Sequence, residues 1–124
     1  FREVKEDKLI PTKENGYNYG TYWWSQTLSI LDVSIKVDVP FGQKIDPKID
    51  YEGLKINVNG NLVFEGEWFK KVIIDEAFWT FEDGIFKYGV FKSDNKNWWE
   101  KAFKHEKSLD LQKVTPEDTN VITI

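Results

Sequence analysis

The chain has 124 residues, no cysteine and a formal net charge of -4, with 16% aromatic and 31% charged residues. That length supports one domain able to bury roughly two thirds of its unfolded surface. The charge argues against a nucleic-acid binder, which needs clustered Lys and Arg, and mildly against an anionic-membrane binder. The absence of cysteine favours a reducing compartment and therefore a cytoplasmic location.

Taken in order, residues 1–20 are polar and carry Pro11, Asn15, Gly16 and Gly20; they predict an extended arm. The pattern of Leu31, Val33, Ile35 and Val37 against Asp32, Ser34, Lys36 and Asp38 predicts a half-buried strand of period two. Pro40 to Pro47 reads as a loop. Leu54, Ile56 and Val58 alternate with Lys55, Asn57 and Asn59, and Asn59-Gly60 then supplies a tight turn into Leu62–Gly66. Glu82-Asp83-Gly84 predicts a second hairpin, between a strand carrying Ala77, Trp79 and Phe81 and a strand from Ile85 to Lys92. Asn97–Lys104 reads as a short helical segment, with Trp98, Trp99, Ala102 and Phe103 at spacings of one, three and four. The tail from Ser108 is polar. Six or seven short strands separated by turns indicate an antiparallel β-sandwich.

The strand from Ile85 to Lys92 has two readings. Phe86, Tyr88 and Val90 lie on one side, and Ile85 and Phe91 on the other. Either the C-terminal tail covers the second face, or the strand presents an aromatic patch to a partner. On the second reading Phe86 and Tyr88 form the surface, with Lys87 and Glu82 as its rim. Trp98 and Trp99 either extend that surface or cap the open end of the sandwich.

Catalytic chemistry is missing from the pattern. His105 is the lone histidine and sits among Lys101, Lys104 and Lys107, so a surface role suits it better than a triad. Zinc ligands are lacking. Asp46, Asp50 and Glu52 do not match a calcium loop. The pairs Asp75-Glu76 and Glu82-Asp83 cannot face one another across a cleft as a glycosidase requires. No apolar run reaches the ~20 residues of a bilayer span. The residues read as a non-enzymatic binding domain with no cofactor and no metal. The chain begins at Phe1 and contains no Met, which reads as a fragment or trimmed domain, monomeric as it stands.

Several runs resemble one family. Trp24-Ser25-Gln26-Thr27-Leu28-Ser29-Ile30-Leu31-Asp32-Val33 is similar to the opening of the CS domain of the nuclear distribution protein C (NudC) family of nuclear movement proteins. Leu54–Gly60, Glu65-Gly66-Glu67-Trp68, Trp79–Gly84, Trp98-Trp99 and Leu111–Glu117 follow in the order that family shows. The resemblance runs from about Tyr22 to Thr119, and the domain is placed at 21–119, with a 1–20 arm and a 120–124 tail. It implies an all-β, seven-stranded antiparallel CS or α-crystallin-like sandwich, with a short C-terminal helical turn. It also implies a co-chaperone or ATP-independent chaperone role in dynein-dependent nuclear migration. The implied partners are the ninety-kilodalton heat-shock chaperone, unfolded clients and dynein-pathway proteins. A carbohydrate-binding module is the alternative for an aromatic-rich β-sandwich.

Overall fold

The structure, a computed structural model, describes residues 7–116, apart from the side chains of residues 75–77. Among the described residues, eight strands form two antiparallel sheets: β1 (Tyr17–Asn18), β2 (Tyr22–Gln26), β3 (Ile30–Lys36), β4 (Ile45–Ile49), β5 (Gly53–Val58), β6 (Asn61–Glu67), β7 (Val72–Glu82) and β8 (Ile85–Lys92). The larger sheet runs β1-β2-β3-β8-β7 and the smaller β4-β5-β6. This is the all-β antiparallel sandwich expected. It has one strand beyond the seven anticipated, the two-residue β1.

The strands follow from local chemistry. In β3 the odd positions Leu31, Val33 and Ile35 are buried, and Asp32 and Lys36 face water. Both hairpin turns have two residues at positive φ: Asn59 and Gly60 at 52° and 82°, Asp83 and Gly84 at 54° and 76°. That is the type I′ geometry which matches the twist of the flanking strands. The core lies between the sheets. Trp24, Leu31, Val33, Ile35, Phe86, Tyr88 and Val90 come from one side, and Leu54, Ile56 and Val58 from the other. Trp68, Trp99, Phe103 and Leu109 also join it.

Three expectations are corrected. Pro47 lies within β4, paired with Ile56, not in a loop. β4 tolerates it as an edge strand, where a missing N–H costs no ladder bond on the open side. The described part of the arm is built in: Tyr17–Asn18 pairs with Trp23–Trp24, and Leu9 bridges Leu109, with Asp110 N donating to Leu9 O at 2.8 Å. Asn97–Lys104 is not helical. Its backbone groups bond to other segments: Trp99 N to Gln26 Oε1 (2.9 Å), Phe69 N to Ala102 O (3.0 Å) and Lys104 N to Glu67 O (2.9 Å). The helical turn lies later, as a 3-10 helix at Leu111–Lys113 capped by Asp110. Residues 117–124 lie outside the described residues.

Candidate protein-binding surface

β8 sits between β3 and β7, so each of its faces is flanked on both sides. Directly opposed residues in antiparallel strands share a face. The outward face of the larger sheet therefore reads in rows. Ile30, Phe91 and Ile73 form one. Asp32, Gly89 and Phe78 form the next. Ser34, Lys87 and Thr80 follow, then Lys36, Ile85 and Glu82. The first two rows carry exposed apolar groups, Phe78 at 72%, Ile73 at 41% and Phe91 at 38%. The last two are rimmed by Lys87, Thr80, Lys36 and Glu82, all exposed. Exposed hydrophobes in adjacent rows, rimmed by charge, mark a contact surface more than scattered ones do.

Gly89 shapes the middle of this face. A Cβ built there would lie 2.8 Å from Asp32 Oδ1. The carboxylate thus reaches over the glycine, between the apolar row and the polar one. Although Asp32 is exposed overall, crowding by its neighbours desolvates the carboxyl and pushes its pKa above the usual carboxylate range.

The anticipated site residues divide between the two sides of the sheet. Lys87 and Glu82 lie on this outer face. Phe86 and Tyr88 do not: they point inward, at 0% and 2% exposure. The expected exposed aromatic patch at those two positions is therefore corrected. The reason is partners from elsewhere in the chain. Trp68 stacks on Tyr88 with centroids 5.9 Å apart, and Trp79 leans on Phe86 at 5.6 Å. Trp99 is buried and caps the sandwich, its ring edge-on to Phe69 at 5.9 Å. Trp98 is half-buried beside Lys92. His105 is exposed, stacked on Phe103 and 3.3 Å from the Tyr22 hydroxyl.

Phe78 and Ile73 escaped the sequence reading. The strand was read by Ala77, Trp79 and Phe81, and a register shift between Ile73 and Phe78 brings these two to one face although five positions separate them. Among the tryptophans Trp79 alone is exposed, at 42%, and its ring is engaged with Phe86. Among the described residues, no three His, Asp or Glu side chains converge as a metal site would need. None of their helices is long and apolar enough to cross a membrane.

Residues 20–90 match the CS domain family. Protein BOBBER 2 of Arabidopsis thaliana is 33% identical over 124 residues, covering 96% of this chain and 42% of that protein. The nuclear migration protein nudC of Drosophila melanogaster is 26% identical over 119 residues, covering 92% of this chain and 36% of that protein. The chain thus spans about two fifths of the length of these relatives. The solution structure of the CS domain of human KIAA1068 protein superposes with a TM-score of 0.65 at 20% identity, covering 97% of this chain and all of that one. At that identity the likeness speaks for the fold.

Proposed function

This chain belongs to the CS domain family, and we propose on that footing that it is a chaperone-like protein-binding domain which holds non-native chains without nucleotide. It is related to NudC nuclear movement proteins. In this reading it is a non-enzymatic, cytoplasmic co-chaperone in dynein-dependent nuclear migration, working beside the ninety-kilodalton heat-shock chaperone. The observation that carries the reading is the apolar face of Ile73, Phe78 and Phe91 on a rigid sheet. An unfolded chain offers apolar side chains and unpaired N–H groups. The face offers apolar area for the first and Asp32 as an acceptor for the second. Each apolar side chain buried there contributes about 1.5 kcal/mol or more. No conformational change or cofactor is required.

The test is suppression of aggregation. Citrate synthase is heated with and without the domain, in the absence of nucleotide, and followed by light scattering. The reading expects a dose-dependent reduction that is weakened by Phe78→Ser with Phe91→Ser. Scattering unaffected by the wild-type domain would overturn it.

A further inference from the structure

The apolar face ends at a cluster of lysines that the client-holding reading does not use. Two segments meet there, the one joining β6 to β7 and the one following β8. They are knit by Phe69 N to Ala102 O at 3.0 Å and Ser93 N to Lys71 O at 3.1 Å. Phe69 is half-buried between them, edge-on to the buried Trp99. Two ammonium groups sit over its ring, Lys70 Nζ at 5.4 Å and Lys101 Nζ at 5.7 Å from the centroid. Behind them Lys92 Nζ lies 5.7 Å from the centroids of both Trp98 and Trp99, donating to Gln26 Oε1, Thr27 O and Asn97 O.

Three positive charges thus lie on packed aromatic rings in a chain whose net charge is negative. The salt bridges among the described residues are Lys55–Glu65 and Lys104–Glu67; Lys70 and Lys101 belong to neither. Asp94 is within electrostatic reach of Lys70 and also accepts from Lys96 N and Asn97 Nδ2. Both ammonium groups lie beside the same ring, so an anion bound at its edge would be attracted by both. Contact with the ring also restricts each side chain in advance and lowers the entropy cost of ordering it on binding. A hollow of about 230 Å³ beside the apolar face is lined by Ser29, Ile73, Phe91, Lys92, Ser93 and Asn95, and Ser93 ties it to the Lys70 segment through its bond to Lys71 O.

We propose that the Phe69 end of the sandwich, through Lys70 and Lys101, binds an acidic peptide segment whose interspersed apolar side chains continue into the hollow beside Ile73 and Phe91. The proposal rests on the reading that the outer face binds protein, and adds the chemical class of partner. A peptide fits better than a nucleic acid. Phosphate tracking needs a basic groove several charges long, whereas this end offers only Lys70 and Lys101 beside one ring.

The experiment measures fluorescence anisotropy of a labelled decapeptide of alternating Asp and Leu. Comparison probes are the same peptide with Lys for Asp, and a single-stranded oligonucleotide. The acidic peptide is expected to bind best, more weakly as salt rises. Lys70→Glu with Lys101→Glu is expected to weaken that binding by roughly tenfold or more, while Lys48→Glu on the other sheet leaves it unchanged. Circular dichroism checks the fold, and Lys70→Gln with Lys101→Gln replaces the double reversal if that variant does not fold. Undiminished binding by the double variant, or tighter binding of the oligonucleotide or the basic peptide, overturns the proposal. If the wild type holds aggregating citrate synthase but ignores the acidic peptide, this inference fails and the client-holding reading stands. If it binds the acidic peptide but holds no client, the latter reading fails instead.

Discussion

The Tyr22 hydroxyl donates a hydrogen bond to Glu106 Oε2, linking β2 to a segment 84 residues further on. The other carboxylate oxygen accepts from Ala102 N at 2.9 Å and Phe103 N at 3.3 Å. One buried acid therefore closes the non-helical segment onto the sheet and orders the stretch from which Lys101 and Trp99 project. Burial raises the Glu106 pKa, against the lowering effect of these hydrogen bonds, and the Tyr22 hydroxyl is pushed up by burial and by the nearby carboxylate.

A pH dependence follows. The native Glu106 carboxyl is raised above its ordinary value of 4.5, so the native state holds that proton more tightly than the unfolded chain does. The stability linked to this group is fully present below the unfolded value and is lost as pH rises through the native one. Glu106→Gln removes the titration. Urea midpoints of wild type and variant, compared over roughly pH 4 to 7, are expected to shift against the wild type as pH rises. A shift in its favour would contradict the raised native value.

Phe86 and Tyr88 give opposite outcomes although both are buried. Phe86→Ala is expected to cost about 3–5 kcal/mol, a large part of the 5–15 kcal/mol typical of a domain. Tyr88→Phe is expected to be neutral or slightly stabilising. Among the described residues its buried hydroxyl has no hydrogen-bond partner, so removing it lifts a desolvation cost and leaves the stack on Trp68 in place. Denaturant melts of the two variants decide this. A Tyr88→Phe loss above about 1 kcal/mol would mean that the hydroxyl is satisfied in solution.

Gly66 is expected to be intolerant for steric reasons. A Cβ there would lie 2.5 Å from Phe103 Cδ1, and that ring is already held by Phe64 at 5.4 Å and Trp68 at 5.2 Å. Gly66→Ala should lower stability by about 1–3 kcal/mol, read as a fall in thermal midpoint. The midpoint should recover in part when Phe103→Leu is added.

Phe78→Ser tests the outer face with little risk to the fold. At 72% exposure the ring contributes little to the core, and a stability change within about 0.5 kcal/mol is expected. Client affinity should fall by about 2 kcal/mol if the ring is a binding anchor. Titration of a labelled unfolded client measures it. A stability loss with unchanged affinity would reverse the assignment.

The strands and turns were legible because their causes are local. Period-two burial from Leu31 to Val37 and from Leu54 to Val58, and the positive φ that Asn59-Gly60 and Asp83-Gly84 accept, depend on neighbours a few residues apart. The family resemblance also lay in the order of short runs. Of the candidate site, the sequence offered Lys87 and Glu82 only as the rim of a Phe86–Tyr88 surface, whereas they lie on the opposite face from those two rings. Phe86 and Tyr88 could not be told from surface aromatics, since alternation separates two faces without saying which is covered. Tertiary structure decided that by bringing Trp68 and Trp79 onto them. It also let β4 keep Pro47 at an edge, and it drew the backbone of Asn97–Lys104 away from a helix with partners on Gln26, Glu67 and Phe69. A register shift joined Ile73 to the side of Phe78, and Lys70 met Lys101 over a single ring. These relations depend on residues distant in sequence, whose meeting is settled only when two sheets and the segments around them compete to bury the same apolar surface.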